Sequence, residues 1–102
     1  MTDNLEELRA EIDRTDAAIT ELLVRRMELS AQVGEYKRSH SLPVYVPERE
    51  AVIFSKLAER SGAFGEYTAE IYKTLLAQSR EYQRRFPNGA SCPAEVGREN
   101  GK

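Results

Sequence analysis

The stretch NLEELRAEIDRTDAAITELLVRRMELSAQVGEYKRS, residues 4–39, decides the architecture. Its apolar positions are Leu5, Leu8, Ile12, Ile19, Leu22, Leu29, Val33 and Tyr36, with Thr15 and Arg26 filling the gaps. The spacing alternates three and four throughout, which is a heptad seam along one face of a helix. Thr2, Asp3 or Asn4 can cap its start, and Glu6 and Glu7 suit the positive end of the helix dipole. No proline intervenes before Pro43, and Gly34 is a mild cost rather than a stop. Such a helix is roughly 54 Å long at 1.5 Å per residue, whereas a compact chain of this size has a radius of gyration of about 13 Å. The rest of the chain cannot cover it, so a partner is expected. A helix broken near Thr15 or Gly34 is the alternative.

Working outward, Pro47 is a favoured first helical residue and opens a second helix with an apolar face of Ala51, Phe54, Leu57 and Ala58, Ile53 beside it. Val46 falls at its N-cap, where a short polar side chain is the usual choice, and Gly62 is a natural stop. The loop SGAFGE leads to a third helix from about Tyr67 to Arg85, whose inner face reads Ile71, Tyr72, Leu75, Leu76, Ser79 and Gln83. The fold class is therefore all-α: three helices per chain, the first very long, in an intertwined antiparallel homodimer. Residues 1–86 form the helical domain. Residues 87–102, PNGASCPAEVGRENGK, lack apolar periodicity and are expected to be a disordered tail.

Composition narrows the partners. Fifteen basic against seventeen acidic residues give a net charge of −2, without the basic excess of a nucleic-acid binder. The acidic, periodic N-terminus lacks signal-peptide character, and no apolar run approaches the ~18 residues of a membrane span. The single cysteine, Cys92, cannot form an internal disulfide, which fits a reducing cytoplasm.

Several polar residues interrupt the apolar stripes. Arg26 occupies a seam position where leucine would stabilise, so its charge needs an anion or solvent. Lys37 lies eleven residues on, within about 20° of the same face. Ser79 and Gln83, at i and i+4, share the face of the third helix expected to be buried, and Arg49 and Glu50 open the second helix. Each has an ordinary explanation: a seam arginine pairs with a glutamate, a helical Ser or Gln bonds locally, a first-turn charge is solvated. Symmetry strengthens the combination. If two long helices cross antiparallel about residue 20, residue i faces roughly residue 40 − i of the partner. Arg9 of one chain then falls between Arg26 and Lys37 of the other. Within one chain Arg9 and Arg26 are about 25 Å apart along the helix and cannot share a small ligand. Three cations around an apolar pocket suit a dianion, and the planar arginine fork suits carboxylates.

The chemistry open to such a pocket is limited. His40 is the sole histidine and Cys92 lies in the tail, so neither a metal cluster nor a Ser-His-Asp arrangement is expected, and no glycine-rich phosphate loop follows a strand. A unimolecular rearrangement fits better, because it needs a selected conformer and stabilised developing charge but no nucleophile or cofactor.

The runs LRAEID (8–13), ELLVRRMEL (21–29), VGEYK (33–37), PVYVPERE (43–50) and SREYQ (79–83) together resemble the all-helical chorismate mutases, in order and with suitable spacing over residues 5–85. The resemblance implies an intertwined three-helix homodimer and the Claisen rearrangement of chorismate, a dicarboxylate, to prephenate. It further implies that Arg26 and the partner chain's Arg9 bind the two carboxylates with help from the Ser79 hydroxyl. Lys37 and Gln83 would hydrogen-bond the ether oxygen, Glu50 would accept from the ring 4-hydroxyl, and Arg49 would support the site. Many members of the family have Asp where this chain has Val46. The contact carried over there is the backbone N–H, which valine keeps. A flat pH–rate profile between about 5 and 8 is expected, since Gln83 is a neutral amide.

Three rival readings stand beside this one: a mutase of 4-amino-4-deoxychorismate, an isochorismate-pyruvate lyase on the same fold, and a non-catalytic helical dimerisation module. Glu50 directly after Arg49 favours a 4-hydroxyl but tolerates an amine, and the ERE run is associated with the mutases. The module reading leaves Ser79 and Gln83 without a role. The 102 residues have no room for a fused catalytic or regulatory domain, so any feedback control would have to come through a separate partner.

Overall fold

A computed structural model describes residues 4–85 of the chain. The expected domain boundary at residue 86, the tail 87–102 and Cys92 lie outside the described residues. Helix α1 runs over Leu5–Ser39 as one uninterrupted rod of 35 residues, α2 over Pro47–Ser61, and α3 over Gly65–Arg85, with a single 3-10 turn, Gly62–Phe64, between the last two. The described residues are all-helical outside the connecting segments. Neither Thr15 nor Gly34 breaks α1. The Thr15 hydroxyl donates to the Glu11 carbonyl one turn back, at 2.9 Å, so it competes with no backbone bond outside the helix.

The ends of α1 are set locally. Asn4 is the N-cap, its side-chain oxygen accepting from the Glu6 and Glu7 amides at 2.8 and 3.4 Å. At the other end Ser41 takes a positive φ of 56°, the Leu42 amide donates to the Lys37 carbonyl at 2.7 Å and the Ser41 amide to the Arg38 carbonyl at 3.3 Å. That pair of bonds is a Schellman motif with serine where glycine is usual. It turns the chain back so that residues 42–46 run alongside the end of α1. Helix α2 begins at Val46–Pro47 without a side-chain cap, as the sequence implied, and stops at Gly62, whose φ of 56° favours glycine. The α2–α3 corner is pinned by Ser61 and Thr68, whose hydroxyls meet at 2.7 Å.

Helix α3 packs against both α2 and the C-terminal half of α1. Leu76, on α3, is the one buried hydrophobic residue among those described, at 4% exposure. The seam of α1 is exposed at every position except Arg26, with Leu22 near its middle 69% exposed. The radius of gyration is 16.7 Å, against about 13 Å for a compact chain of this length. One expectation is corrected: Ile71 is 64% exposed and does not share the inner face of α3 with Leu75, Leu76, Ser79 and Gln83. Ile71 stands five residues before the buried Leu76, about 140° around the helix from it, so it falls at the edge of the stripe rather than over the contact with α1 and α2. Helix α3 also starts two residues earlier than expected, and the GAF of the loop is a helical turn.

Candidate active site

Where α3 crosses α1, the stripe Arg26, Ser30, Gly34 and Lys37 faces Ser79 and Gln83. Arg26 Nη1 donates to Ser79 Oγ at 3.2 Å, and its guanidinium lies 5.7 Å from the centre of the Tyr72 ring. No carboxylate among the described residues lies within ion-pair distance of it, so the ordinary reading of a seam arginine paired to a glutamate does not apply within this chain. Ser79 is itself buried and donates to Met27 Sδ at 3.8 Å. One turn along, Gln83 Nε2 donates to the buried Ser30 hydroxyl at 2.9 Å. The amide nitrogen carries two hydrogens, so one remains for another acceptor.

The closeness of this crossing depends on Gly34. A Cβ built on it would stand 2.9 Å from Gln83 Cγ and 3.2 Å from Gln83 Cβ, nearer than real side chains pack. Glycine thus lets the α3 backbone bring Gln83 down onto α1.

The turned-back link closes the next side. Lys37 Nζ donates to the Val44 carbonyl at 2.7 Å. Burial lowers the Lys37 ammonium below its ordinary 10.5, and the nearby Glu50 carboxylate offsets part of that. Glu50 forms a part-buried ion pair with Arg80 of α3, whose guanidinium lies 5.0 Å from the centre of the Tyr45 ring.

These elements line an open-sided cavity of about 300 Å³. Of the residues expected at the site, Arg26, Lys37, Val46, Arg49, Glu50, Ser79 and Gln83 all line it. Arg9 does not; it is exposed near the far end of α1. Apolar side chains, Leu29, Val33, Ile53 and Leu76 among them, form the walls. Sequence reasoning missed Ser30, Gly34 and Arg80. Ser30 and Gly34 continue the i, i+4 stripe from Arg26, and two small residues there were a readable sign of close packing. Arg80 lies inside the SREYQ run and, beside Ser79, was hidden by attention to the i, i+4 pair.

The lining carries four cations, Arg26, Lys37, Arg49 and Arg80, against the single carboxylate of Glu50. Such a pocket attracts a small anion with more than one charge and offers it forked and point-charge donors above an apolar floor. Among the described residues no three His, Cys, Asp or Glu side chains converge as a metal site would require, and no helix is long and apolar enough to cross a membrane.

The chain matches the family described as chorismate mutase type II over residues 8–84, which takes in all three helices. It belongs to the type II chorismate mutases. Among the relatives of this family, a T-protein of Enterobacter agglomerans is 45% identical over 82 residues, covering 78% of this chain and 22% of the relative. A bifunctional chorismate mutase/prephenate dehydratase of Aquifex aeolicus is 49% identical over 90 residues, covering 82% of this chain and 25% of the relative. A 4-amino-4-deoxychorismate mutase of Streptomyces pristinaespiralis is 29% identical over 100 residues, covering 93% of this chain and 78% of the relative. The chain thus spans about a quarter of the length of the first two of these relatives. No solved structure matches it significantly.

Proposed function

We propose that this type II family member is a chorismate mutase that rearranges chorismate to prephenate within an antiparallel homodimer. The observation that carries the reading is the convergence of Arg26, Lys37, Glu50, Ser79 and Gln83 on one cavity large enough for a small dicarboxylate. In the Claisen rearrangement the ether C–O bond breaks as a new C–C bond forms in the same molecule. No proton, nucleophile or cofactor enters the balance. Arg26 and Ser79, already in contact, bind one carboxylate. Arg9 of a second chain completes the site for the other, since Arg9 of the same chain is about 25 Å from Arg26 along α1.

Rate acceleration comes from donors aimed where charge develops. The ether oxygen gains negative charge as its bond to the ring breaks. The Lys37 ammonium and the spare N–H of Gln83 meet it, each held beforehand by a bond to the protein, to the Val44 carbonyl and the Ser30 hydroxyl. Fixed donors need no reorganisation during the reaction, and the apolar walls strengthen them by excluding water. Glu50 Oε1 remains to accept from the ring 4-hydroxyl while Oε2 holds Arg80. Arg49 and the backbone at Val46 support the same end of the cavity. The enzyme is expected in the cytoplasm, with no nucleic-acid or membrane partner.

The test is to follow loss of chorismate absorbance and identify the product by chromatography, with Arg26→Ala and Gln83→Ala alongside. Prephenate is expected from the wild type. Each variant should lose about 10²–10³-fold in kcat/KM, the cost of removing one donor to developing or bound charge. A folded dimer that leaves chorismate untouched would turn the reading to the 4-amino and iso substrates, and to the non-catalytic module if those too are left unchanged.

A further inference from the structure

The residue at the 4-position end of the cavity that no site assignment includes is Arg80. Its Nη1 is paired with Glu50 Oε2, its guanidinium lies over the Tyr45 ring, and both partners of the ion pair are about three-quarters buried, with side-chain exposures of 26% and 20%. Lys37 is close enough to Glu50 for their charges to interact. Glu50 is therefore not a free carboxylate. It stands between two cations, one of them in direct contact.

We infer that Arg80, by occupying Glu50, makes the pocket select a neutral hydroxyl over a charged amine at the substrate's 4-position. The inference rests on the mutase reading and names which of two substrate classes the same site takes. A hydroxyl needs one acceptor, and Glu50 Oε1 supplies it without disturbing the ion pair. A primary alkyl amine is an ammonium near neutral pH. To reach Glu50 it must share the carboxylate with Arg80 and Lys37 and bring a third positive charge into a half-buried corner. Like charges in such a corner are costly, because screening is weaker there than in water. The Arg80 guanidinium also lies over the Tyr45 ring, 5.0 Å from its centre, a contact that favours its position beside Glu50.

The experiment compares kcat/KM for chorismate and for 4-amino-4-deoxychorismate in the wild type, Arg80→Met and Arg80→Lys. The wild type is expected to favour chorismate by at least about tenfold, the size of effect a single misplaced charge produces. Arg80→Met keeps the length and apolar stem but removes the charge, and should narrow the ratio at least fivefold, mainly by gaining on the amine. Arg80→Lys keeps the charge and should keep the preference. A loss of overall activity in a merely misplaced site would move both substrates together and leave the ratio where it was.

A wild type that uses the amine as well as chorismate, or better, overturns the inference with no variant needed, which covers a methionine variant that fails to fold. An unchanged ratio in Arg80→Met overturns it too, as does an Arg80→Lys that behaves like Arg80→Met, since the role would then be one of shape. Turnover of neither substrate by the wild type is a different result and overturns the mutase reading itself.

Discussion

At Gly34 a single hydrogen in place of a methyl group fixes the distance between α1 and α3. Alanine there would bring its Cβ within 2.9 Å of Gln83 Cγ, close to the backbone end of that side chain, where it cannot simply swing aside. Alanine favours the helix by about 1 kcal/mol, whereas overpacking costs about 1–3 kcal/mol, so Gly34→Ala should change stability little or lower it modestly. However, the Gln83 amide, which the proposed mechanism aims at the ether oxygen, has to move. A displacement near 1 Å is worth about 10²-fold in a positioned reaction. Gly34→Ala is therefore expected to lose kcat far more than it raises KM, with a circular-dichroism spectrum like the wild type. Equal kcat in the two proteins would mean Gln83 is not held by this contact.

Lys37 makes a second prediction at the same scale. Its proton affinity is lowered from 10.5 because burial penalises the ammonium more than Glu50 supports it. In the proposed mechanism activity needs the ammonium, so kcat/KM should stay flat between about pH 5 and 8 and fall on an alkaline limb whose midpoint lies below 10.5. Stability moves the opposite way. Between the folded and unfolded values the unfolded chain binds more protons, so the contribution of Lys37 to folding rises with pH there. Lys37→Gln should remove the limb along with much of the rate. A limb unchanged in that variant would assign it to another group.

At the scale of elements, both ends of the link between α1 and α2 carry less favourable residues than their geometry asks for. Ser41 holds a left-handed φ where glycine would be unstrained, and Val46 caps α2 without a side-chain acceptor. Ser41→Gly should stabilise by up to about 1 kcal/mol, and Val46→Asp by about 1 kcal/mol through a restored cap. For a domain of this size 1 kcal/mol raises Tm by about 4–8 °C, readable in a thermal melt at fixed protein concentration. A cap at α2 was legible in the sequence as a missing one. The Schellman turn was not, because its usual marker, glycine, is replaced by serine. That turn nevertheless matters to the site, since it is what returns the Val44 carbonyl to Lys37.

At the scale of the whole molecule, the decisive fact is the uncovered seam. Leu5, Leu8, Ile12, Ile19 and Leu22 are all exposed on a rod that the rest of the chain leaves bare. A contiguous apolar stripe of this length marks an interaction surface. If a second copy covers it antiparallel, each site combines Arg26 of one chain with Arg9 of the other, and the two sites are equivalent by the twofold. Arg9→Ala and Arg26→Ala homodimers should each be nearly inactive. Unfolded together in equal amounts and refolded, half of the dimers are mixed, and each mixed dimer has one site with both arginines and one with neither. Activity should return to about a quarter of the wild type. No recovery in a mixture that sediments as dimer would mean that both arginines act from one chain or that Arg9 plays no part.

The sequence by itself determined the elements. Unbroken three-four spacing made α1 one helix, Pro47 and Gly62 bounded α2, and polar residues at i, i+4 within an apolar stripe marked Ser79 and Gln83 as facing something other than core. Those are local facts, written into spacing and backbone preference. Only the tertiary structure decided how close the helices come and which charges meet. Gly34 against Gln83, Ser30 under its amide and Arg80 on Glu50 join residues 30 to 53 positions apart, and no periodicity along one chain encodes a partner at such a distance. Ile71 fell on the wrong face for the same reason: a helix stripe states that one side is apolar, and packing against α1 and α2 selects which residues of that side are covered.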